Sequence, residues 1–123
     1  MNNLIIVRGG GDLATGTIVK LVQSGFPVLV LETKAPSAIR RNVAFSEAVY
    51  EGWKTVENLT CFLAKDEEQA MQLLNKGKLT MLVDPEGNCI SHLKPLVVVD
   101  AILATKNLGM NQSMAPITIA LGP

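Results

Sequence analysis

The stretch that decides the fold runs from residue 4 to residue 32: residues 4–16 read Leu-Ile-Ile-Val-Arg-Gly-Gly-Gly-Asp-Leu-Ala-Thr-Gly, and residues 28–32 read Val-Leu-Val-Leu-Glu. A short apolar run leads into a glycine cluster, a helical pattern follows, and a second apolar run ends on a carboxylate. This order is typical of a dinucleotide-binding βαβ unit. In such a unit the glycines permit a tight turn and let a pyrophosphate approach the backbone, where N–H groups of the helix N-terminus attract the anion.

The glycine spacing departs from the strict Gly-x-Gly-x-x-Gly pattern at its third position. Gly9 and Gly11 supply the first two glycines, and Ala14 stands at the third, where a small side chain is enough. Gly16 follows two residues later. Glu32 lies 23 residues after Gly9, about where an acid meets the ribose hydroxyls. The alternative is a glycine-rich turn that only connects a strand to a helix, with the carboxylate in solvent.

Length, composition and charge predict one domain over residues 1–123. The chain has 123 residues, of which 48% are hydrophobic, enough for a sizeable core. Its formal net charge is zero, so bulk electrostatics gives no case for binding nucleic acid or an anionic membrane. Its apolar runs are far shorter than the ~20 residues of a membrane span, and its first strand leaves no room for a signal peptide. The two cysteines match no metal or redox motif, which favours a reduced, cytoplasmic setting.

The hydrophobic periodicity predicts about six strands with helical crossovers between them. The predicted strands are residues 3–8, 28–31, 60–64, 79–83, 96–99 and 117–121, and the predicted helices are residues 12–24, 37–50, 67–76 and 102–108. Near-continuous apolar runs suit parallel strands that are covered on both faces. We therefore predict an α/β fold, a Rossmann-like open parallel sheet of about six strands with helices on both faces.

Polar residues follow several predicted strands at the carboxyl end, where open α/β sheets bind their ligands. Gly11, Glu32, Asp84 and Asp100 all fall at this edge. An Asx-type turn or a helix cap is the alternative role for each acid, and it is the favoured role for Asp84, which precedes a proline. His92 has no Ser/His/Asp or metal-spaced partner in the sequence, so we expect a surface residue.

Two adjacent arginines fall in the first two turns of the helix predicted over residues 37–50. Cations are unfavourable at that end of the helix dipole, so a nearby anion or acid would explain Arg40 and Arg41. Arginines also approach the 2′-phosphate in NADP enzymes, but Glu32 argues against that choice. The alternative is an ordinary solvated pair.

Six segments of the chain together resemble one known family. They are residues 7–16, 32–41, 43–48, 83–85, 99–104 and 114–116. The family is that of the YqeB-type accessory proteins of selenium-dependent molybdenum hydroxylases, which is distantly similar to the xanthine dehydrogenase accessory proteins. The resemblance covers nearly the whole chain. It implies a Rossmann-type domain with a role in maturing or supplying the cofactor of a molybdenum hydroxylase, and it implies no catalytic residue.

The candidate ligand contacts come from the glycine turn, the ends of two strands and the arginine pair. They are Gly9, Gly10, Gly11, Asp12, Ala14, Thr15, Glu32, Arg40, Arg41 and Asp100. Family members continue into a second half, so the chain resembles the N-terminal half, as a fragment or a naturally short member. Met110 and Ser113 stand where the family usually carries a threonine and an acid, which weakens the case for ligand binding by that loop.

Three functions are compatible with these features. The first is a non-catalytic accessory protein that binds a dinucleotide, either NAD or a molybdopterin dinucleotide, and docks on a molybdenum hydroxylase client or its maturation machinery. The second is an NAD-linked oxidoreductase, for which the sequence offers no Tyr-x-x-x-Lys pair, metal ligand set or convincing base. The third is a docking scaffold with a ligand-free glycine turn. The high hydrophobic content suggests self-association or a missing partner domain.

Overall fold

The computed structural model describes residues 1–102 and 115–121, which form one seven-stranded sheet covered by helices. The strands are β1 (Ile5–Arg8), β2 (Val28–Glu32), β3 (Trp53–Val56), β4 (Leu59–Ala64), β5 (Leu79–Val83), β6 (Val97–Asp100) and β7 (Ile117–Ala120). The helices are α1 (Asp12–Gln23), α2 (Ala48–Glu51), α3 (Glu67–Asn75) and α4 (Ile90–Leu93). Two short 3₁₀ turns, Arg41–Val43 and Phe45–Glu47, precede α2.

The strand order is β3-β4-β5-β2-β1-β6-β7, and every neighbouring pair is parallel except β3 with β4. The chain leaves β1 toward β2 on one side and later enters β6 on the other side. The switch point therefore lies at the carboxyl ends of β1 and β6, where open α/β sheets form their binding crevice. The predicted α/β, Rossmann-like open sheet is confirmed.

The central strands are buried on both faces because helices cover each side of the sheet. Every residue of β1 and β2 is buried, as their near-continuous apolar sequences require. On one face, Ile18 of α1 and Phe45 pack against alternate strand residues such as Val30. On the other face, Leu74 of α3 and Ile90 of α4 pack against the remaining ones.

The helix predicted over residues 37–50 is wrong. The structure has irregular chain to Arg40, then the two 3₁₀ turns, and only four residues of helix in α2. Tertiary hydrogen bonds account for the difference, because the backbone N–H groups of Phe45 and Ser46 bond to other parts of the chain rather than within a helix. Phe45 is completely buried in the core beside α1.

The prediction also missed two elements. Strand β3 forms an antiparallel hairpin with β4, and its two connecting residues, Glu57 and Asn58, both have positive φ. Two positive φ values are typical of a type I′ turn, but Glu-Asn lacks the glycine that usually announces one. The single turn of α4 was also missed. The sheet therefore has seven described strands, one of them antiparallel, rather than about six parallel ones.

The helix over residues 67–76 is confirmed, with the expected start. Asp66 accepts a hydrogen bond from the Gln69 N–H at 2.8 Å, and the Gln69 side chain accepts one from the Lys65 N–H at 2.7 Å. Most of the helix over residues 102–108, together with Gly109, Met110 and Ser113, lies outside the described residues. Among the helices that the structure describes, none combines the length and apolar character needed to cross a membrane.

Candidate functional site

A cavity of about 560 Å³ opens at the carboxyl ends of β1 and β2. Its wall is formed by the start of α1, the loop after β2, the turn after β5 and the end of β6. The lining residues are 8–9, 11–14, 31–33, 35–39, 84–85 and 101–102. The volume lies within the range of about 300–1,000 Å³ that is usual for small-molecule sites. The switch point of the sheet thus carries a cavity of suitable size.

The first two glycines of the turn serve the packing of the chain. Gly9 has a φ of 98°, and an added Cβ would lie 3.2 Å from the carbonyl carbon and oxygen of Ala101. At Gly10 a Cβ would lie 3.1 Å from Met81 Cε and 3.3 Å from the backbone nitrogen of Ser46. Gly9 therefore permits the turn and the approach of β6, while Gly10 faces the protein interior rather than the cavity lining.

Gly11 is the glycine with open space in front of it. Among the described residues, no atom lies within 4 Å of the position that its Cβ would take. Gly11 is the N-cap of α1, and the Thr15 N–H donates to its carbonyl at 3.0 Å. The preceding N–H groups of the first turn have no intrahelical acceptor, and the helix dipole makes this end positive. Asp12 and Leu13 of the same turn also line the cavity.

Glu32 joins the two walls of the cavity. Its Oε2 accepts a hydrogen bond from the Gly10 N–H at 2.7 Å, and its Oε1 accepts one from the Thr33 N–H at 2.9 Å. Only 9% of the residue is exposed, although it lines the cavity. A carboxylate has about four acceptor positions on its two oxygens, so each oxygen retains a lone pair for a further donor. The acid is thus both a structural link and an available acceptor.

Ala14 and Thr15 fix α1 to its surroundings. Ala14 is 2% exposed and packs in the core, as expected of a small residue at the third position of the motif. The Thr15 hydroxyl donates to the Gly11 carbonyl at 2.8 Å and accepts from the Phe45 N–H at 3.1 Å. Thr15 is buried and is not a lining residue, so its hydroxyl connects α1 to the turn before α2.

The two arginines lie outside the cavity lining. Arg41 contacts Glu47, with its Nη2 and Nε each 3.0 Å from Oε1. An acid does accompany Arg41, but the helix from which we inferred one is absent, and the Arg41 side chain is largely exposed. Arg40 is exposed, and its side chain makes no hydrogen bond or ion pair to any other residue in the part of the chain that is described. The structure does not bring either arginine to Glu32.

Asp84 and Asp100 shape turns at the carboxyl edge. The two carboxylate oxygens of Asp84 accept the Asn88 and Cys89 N–H groups, both at 2.9 Å. Burial raises the pKa of Asp84, but these hydrogen bonds and the nearby charge of Arg8 outweigh burial and lower it overall. Asp100 accepts the Ile102 N–H at 3.1 Å and is not a lining residue. The turn-forming role favoured for Asp84 is what the structure has.

Arg8 is a charged lining residue that the sequence argument did not select. It is 1% exposed at the end of β1, and its Nη2 donates to the Pro85 carbonyl at 3.0 Å. Arginine is almost never fully buried unless it is paired, so this side chain belongs to the built structure of the cavity. The signal was a lone cation that ends a buried apolar strand directly before the glycines.

His92 and the two cysteines do not line the cavity. His92 is an exposed residue, as expected, with its Nδ1 3.1 Å from the Glu67 carboxylate. Cys61 and Cys89 are free and buried, and burial raises the pKa of both thiols, so they stay protonated near neutral pH. Within residues 1–102 and 115–121, no group of three or more His, Cys, Asp or Glu side chains is placed to hold a metal ion.

Comparison with known proteins adds one relative. The chain is 48% identical over 122 residues, 99% of its length, to the uncharacterized protein YqeB of Escherichia coli strain K12. The chain is a homologue of part of YqeB. It spans 23% of the length of this curated relative, so the matching part is about a quarter rather than the half that the resemblance implied. No family model and no solved structure matches the chain.

Proposed function

We propose that this chain binds a ribose-containing nucleotide in the cavity and serves as an accessory protein in the maturation of a selenium-dependent molybdenum hydroxylase. The observation that carries the proposal is the position of Glu32. Its carboxylate lines the same cavity as the open Gly11, and each of its oxygens keeps a lone pair beyond the hydrogen bond to the backbone.

The arrangement of the wall suggests how such a ligand would lie. A pyrophosphate fits best beside Gly11, because space is open there and the N-terminus of α1 supplies N–H groups and a positive dipole end. The ribose hydroxyls would donate to Glu32. The base would then lie against the loop after β2, where Pro36 and Ile39 offer apolar surface. Arg8 adds positive charge to the same wall.

The accessory role is supported by the resemblance of the motifs, whereas the relative YqeB is itself uncharacterized. The molybdenum cofactor of many bacterial hydroxylases carries a cytosine dinucleotide tail, whose pyrophosphate and ribose are groups of the kind this cavity suits. We propose a client hydroxylase or its maturation machinery as the partner, and a cytoplasmic setting. No residue of the chain is assigned a catalytic role.

An NAD-linked oxidoreductase is the second candidate function. The observation that favours it is the same carboxylate, because an acid at the end of the second strand selects an unmodified ribose in NAD-dependent enzymes. Neither arginine of the Arg40–Arg41 pair lines the cavity, so the structure offers no reason to prefer NADP. Binding with turnover and binding without turnover separate the two functions.

The test combines titration calorimetry with a turnover assay on the purified chain. NAD, ADP-ribose, CDP and CTP are titrated separately, and the parent is compared with Glu32→Ala. We expect one of these ligands to bind to the parent, the variant to bind at least about tenfold more weakly, and NADH absorbance to stay constant with hydroxylated test substrates. Turnover would favour the oxidoreductase, and a lack of binding by every ligand would leave the docking scaffold.

A further inference from the structure

The loop after β2 forms the outer wall of the cavity. Five of the six residues between 34 and 39 line it, and Ile39 at its far end is 95% exposed. Before the loop, the Thr33 N–H is held by Glu32. The Tyr50 hydroxyl donates a hydrogen bond to the Pro36 carbonyl at 2.6 Å. Within residues 1–102 and 115–121, no other hydrogen bond connects residues 34–39 to another element.

Tyr50 holds this wall from outside the cavity. Tyr50 belongs to α2, is about half exposed, and is not a lining residue. Pro36 is buried and lines the cavity, so the bond pins the loop at its innermost point.

The segment that carries Tyr50 is fixed to the glycine turn and to α1 by hydrogen bonds. Ala48 of the same helix is completely buried. In the 3₁₀ turn before α2, the Ser46 N–H donates to the Gly10 carbonyl at 2.8 Å, and the Phe45 N–H donates to the Thr15 hydroxyl. The loop, through Tyr50, is therefore positioned relative to the same turn that carries the ligand-facing Gly11.

We propose that Tyr50 is a positioning residue that holds the loop of residues 33–39 over the cavity and thereby sets the residence time of the bound nucleotide. The claim about residence time rests on the proposed function, because it needs a bound nucleotide. The tether, which is the hydrogen bond from Tyr50 to Pro36, is independent of that function. The loop supplies five of the residues that line the cavity, so its opening frees a path for a bound ligand, and it opens more readily when its connection to α2 is absent. The almost fully exposed Ile39 supplies apolar surface at the mouth that a seated ligand would cover.

The test compares the parent with Tyr50→Phe, which removes only the hydroxyl. A hydrogen bond of this kind contributes about 0.5–1.5 kcal/mol, which corresponds to a change of roughly 2- to 12-fold. We expect the dissociation rate of the tightest ligand from the calorimetry to rise within that range, while the association rate changes little and the melting temperature falls no more than in the control variant. The control is Ser24→Ala, which removes a similar hydroxyl-to-carbonyl bond at the opposite end of α1.

A second readout needs no ligand. Lys34 is exposed within the loop, so limited trypsin digestion reports how readily the loop opens. Faster cleavage after Lys34 in ligand-free Tyr50→Phe, with the parental rate in Ser24→Ala, supports the tether even if no nucleotide binds and the proposed function fails. Parental cleavage in Tyr50→Phe overturns the tether. Faster cleavage combined with an unchanged dissociation rate overturns the claim about residence time.

Discussion

Three consecutive glycines of this chain have three different surroundings. Gly9 adopts a left-handed φ of 98°, Gly10 lies against the backbone of Ser46, and Gly11 faces open space in the cavity. The motif suggests one shared purpose for them, but the contacts show that Gly9 and Gly10 serve the packing of the chain, while Gly11 lines the cavity without a packing contact at its Cβ position.

The different surroundings of Gly10 and Gly11 predict that the same substitution costs more stability at Gly10 than at Gly11. Gly10→Ala places a Cβ 3.1–3.3 Å from Met81, Val30 and Ser46, so we expect the free energy of unfolding to fall by about 1–3 kcal/mol. Gly11→Ala meets no described atom and keeps an ordinary φ of −66°, so we expect a loss below about 1 kcal/mol. Urea denaturation of both variants checks this, and equal losses would contradict it.

We predict that replacing Glu32 lowers the stability of the protein even when no ligand is present. In Glu32→Gln only one oxygen remains as acceptor, so either the Gly10 or the Thr33 N–H loses its partner. Gly10 is buried, and an unsatisfied buried N–H costs about 1–3 kcal/mol, whereas Thr33 is exposed and its N–H can bond to water. We therefore expect the free energy of unfolding without ligand to fall by about 1–3 kcal/mol when the Gly10 N–H loses its partner, and by less when the Thr33 N–H does. Urea denaturation at neutral pH measures it. A fully stable variant would mean that the carboxylate does not hold the two walls together.

At the scale of elements, the strands and helices that could be predicted are those whose hydrophobic pattern alone determines their type. Strands β1, β2 and β5 follow from near-continuous apolar runs, and α1 follows from its apolar face between Gly11 and Gly25. The edge of the sheet where Glu32 and Gly11 meet follows in turn from a parallel sheet.

The segment before α2 was not predictable from pattern because its conformation depends on distant partners. A window over residues 37–50 does not reveal that the Phe45 N–H will bond to Thr15, or that the Ser46 N–H will bond to Gly10. The same holds for Arg8, whose place in the cavity wall depends on the turn that contains Pro85. Sequence reasoning therefore selected Gly11 and Glu32, which line the cavity, and missed part of the cavity wall.

We predict that Asp84, in the turn after β5, makes a pH-dependent contribution to the free energy of unfolding. The pKa of Asp84 is lowered in the folded state, so its carboxylate stabilises the fold above its unfolded pKa of about 3.9, and this contribution is lost as pH falls through the lower folded value. We expect Asp84→Asn to be less stable than the parent near neutral pH, with a difference that shrinks below pH ~4. Urea midpoints across this range check it. Ser24→Ala, which removes no titrating group, should differ from the parent equally at each pH.

At the scale of the whole molecule, the sheet places most of the cavity lining on one side of the switch point. Gly11, Glu32 and the loop that Tyr50 contacts all belong to the β1-α1-β2 unit and the segment that follows it, while the chain directly after β6 contributes Ala101 and Ile102. The chain spans 23% of the length of YqeB. The most direct test of the proposed site is therefore whether this chain by itself binds a nucleotide.

The measurement that decides it is a thermal-shift panel with NAD, NADP, ADP-ribose, CDP and CTP at millimolar concentration, run on the parent and on Gly11→Val. A ligand at about 100 times its Kd adds roughly 2.7 kcal/mol of stability, which raises the Tm of a domain this size by several degrees. We predict such a shift for at least one nucleotide with the parent and none with Gly11→Val, because the valine side chain fills the space open at Gly11. No shift with any nucleotide, or equal shifts in both proteins, would contradict a nucleotide site at this cavity.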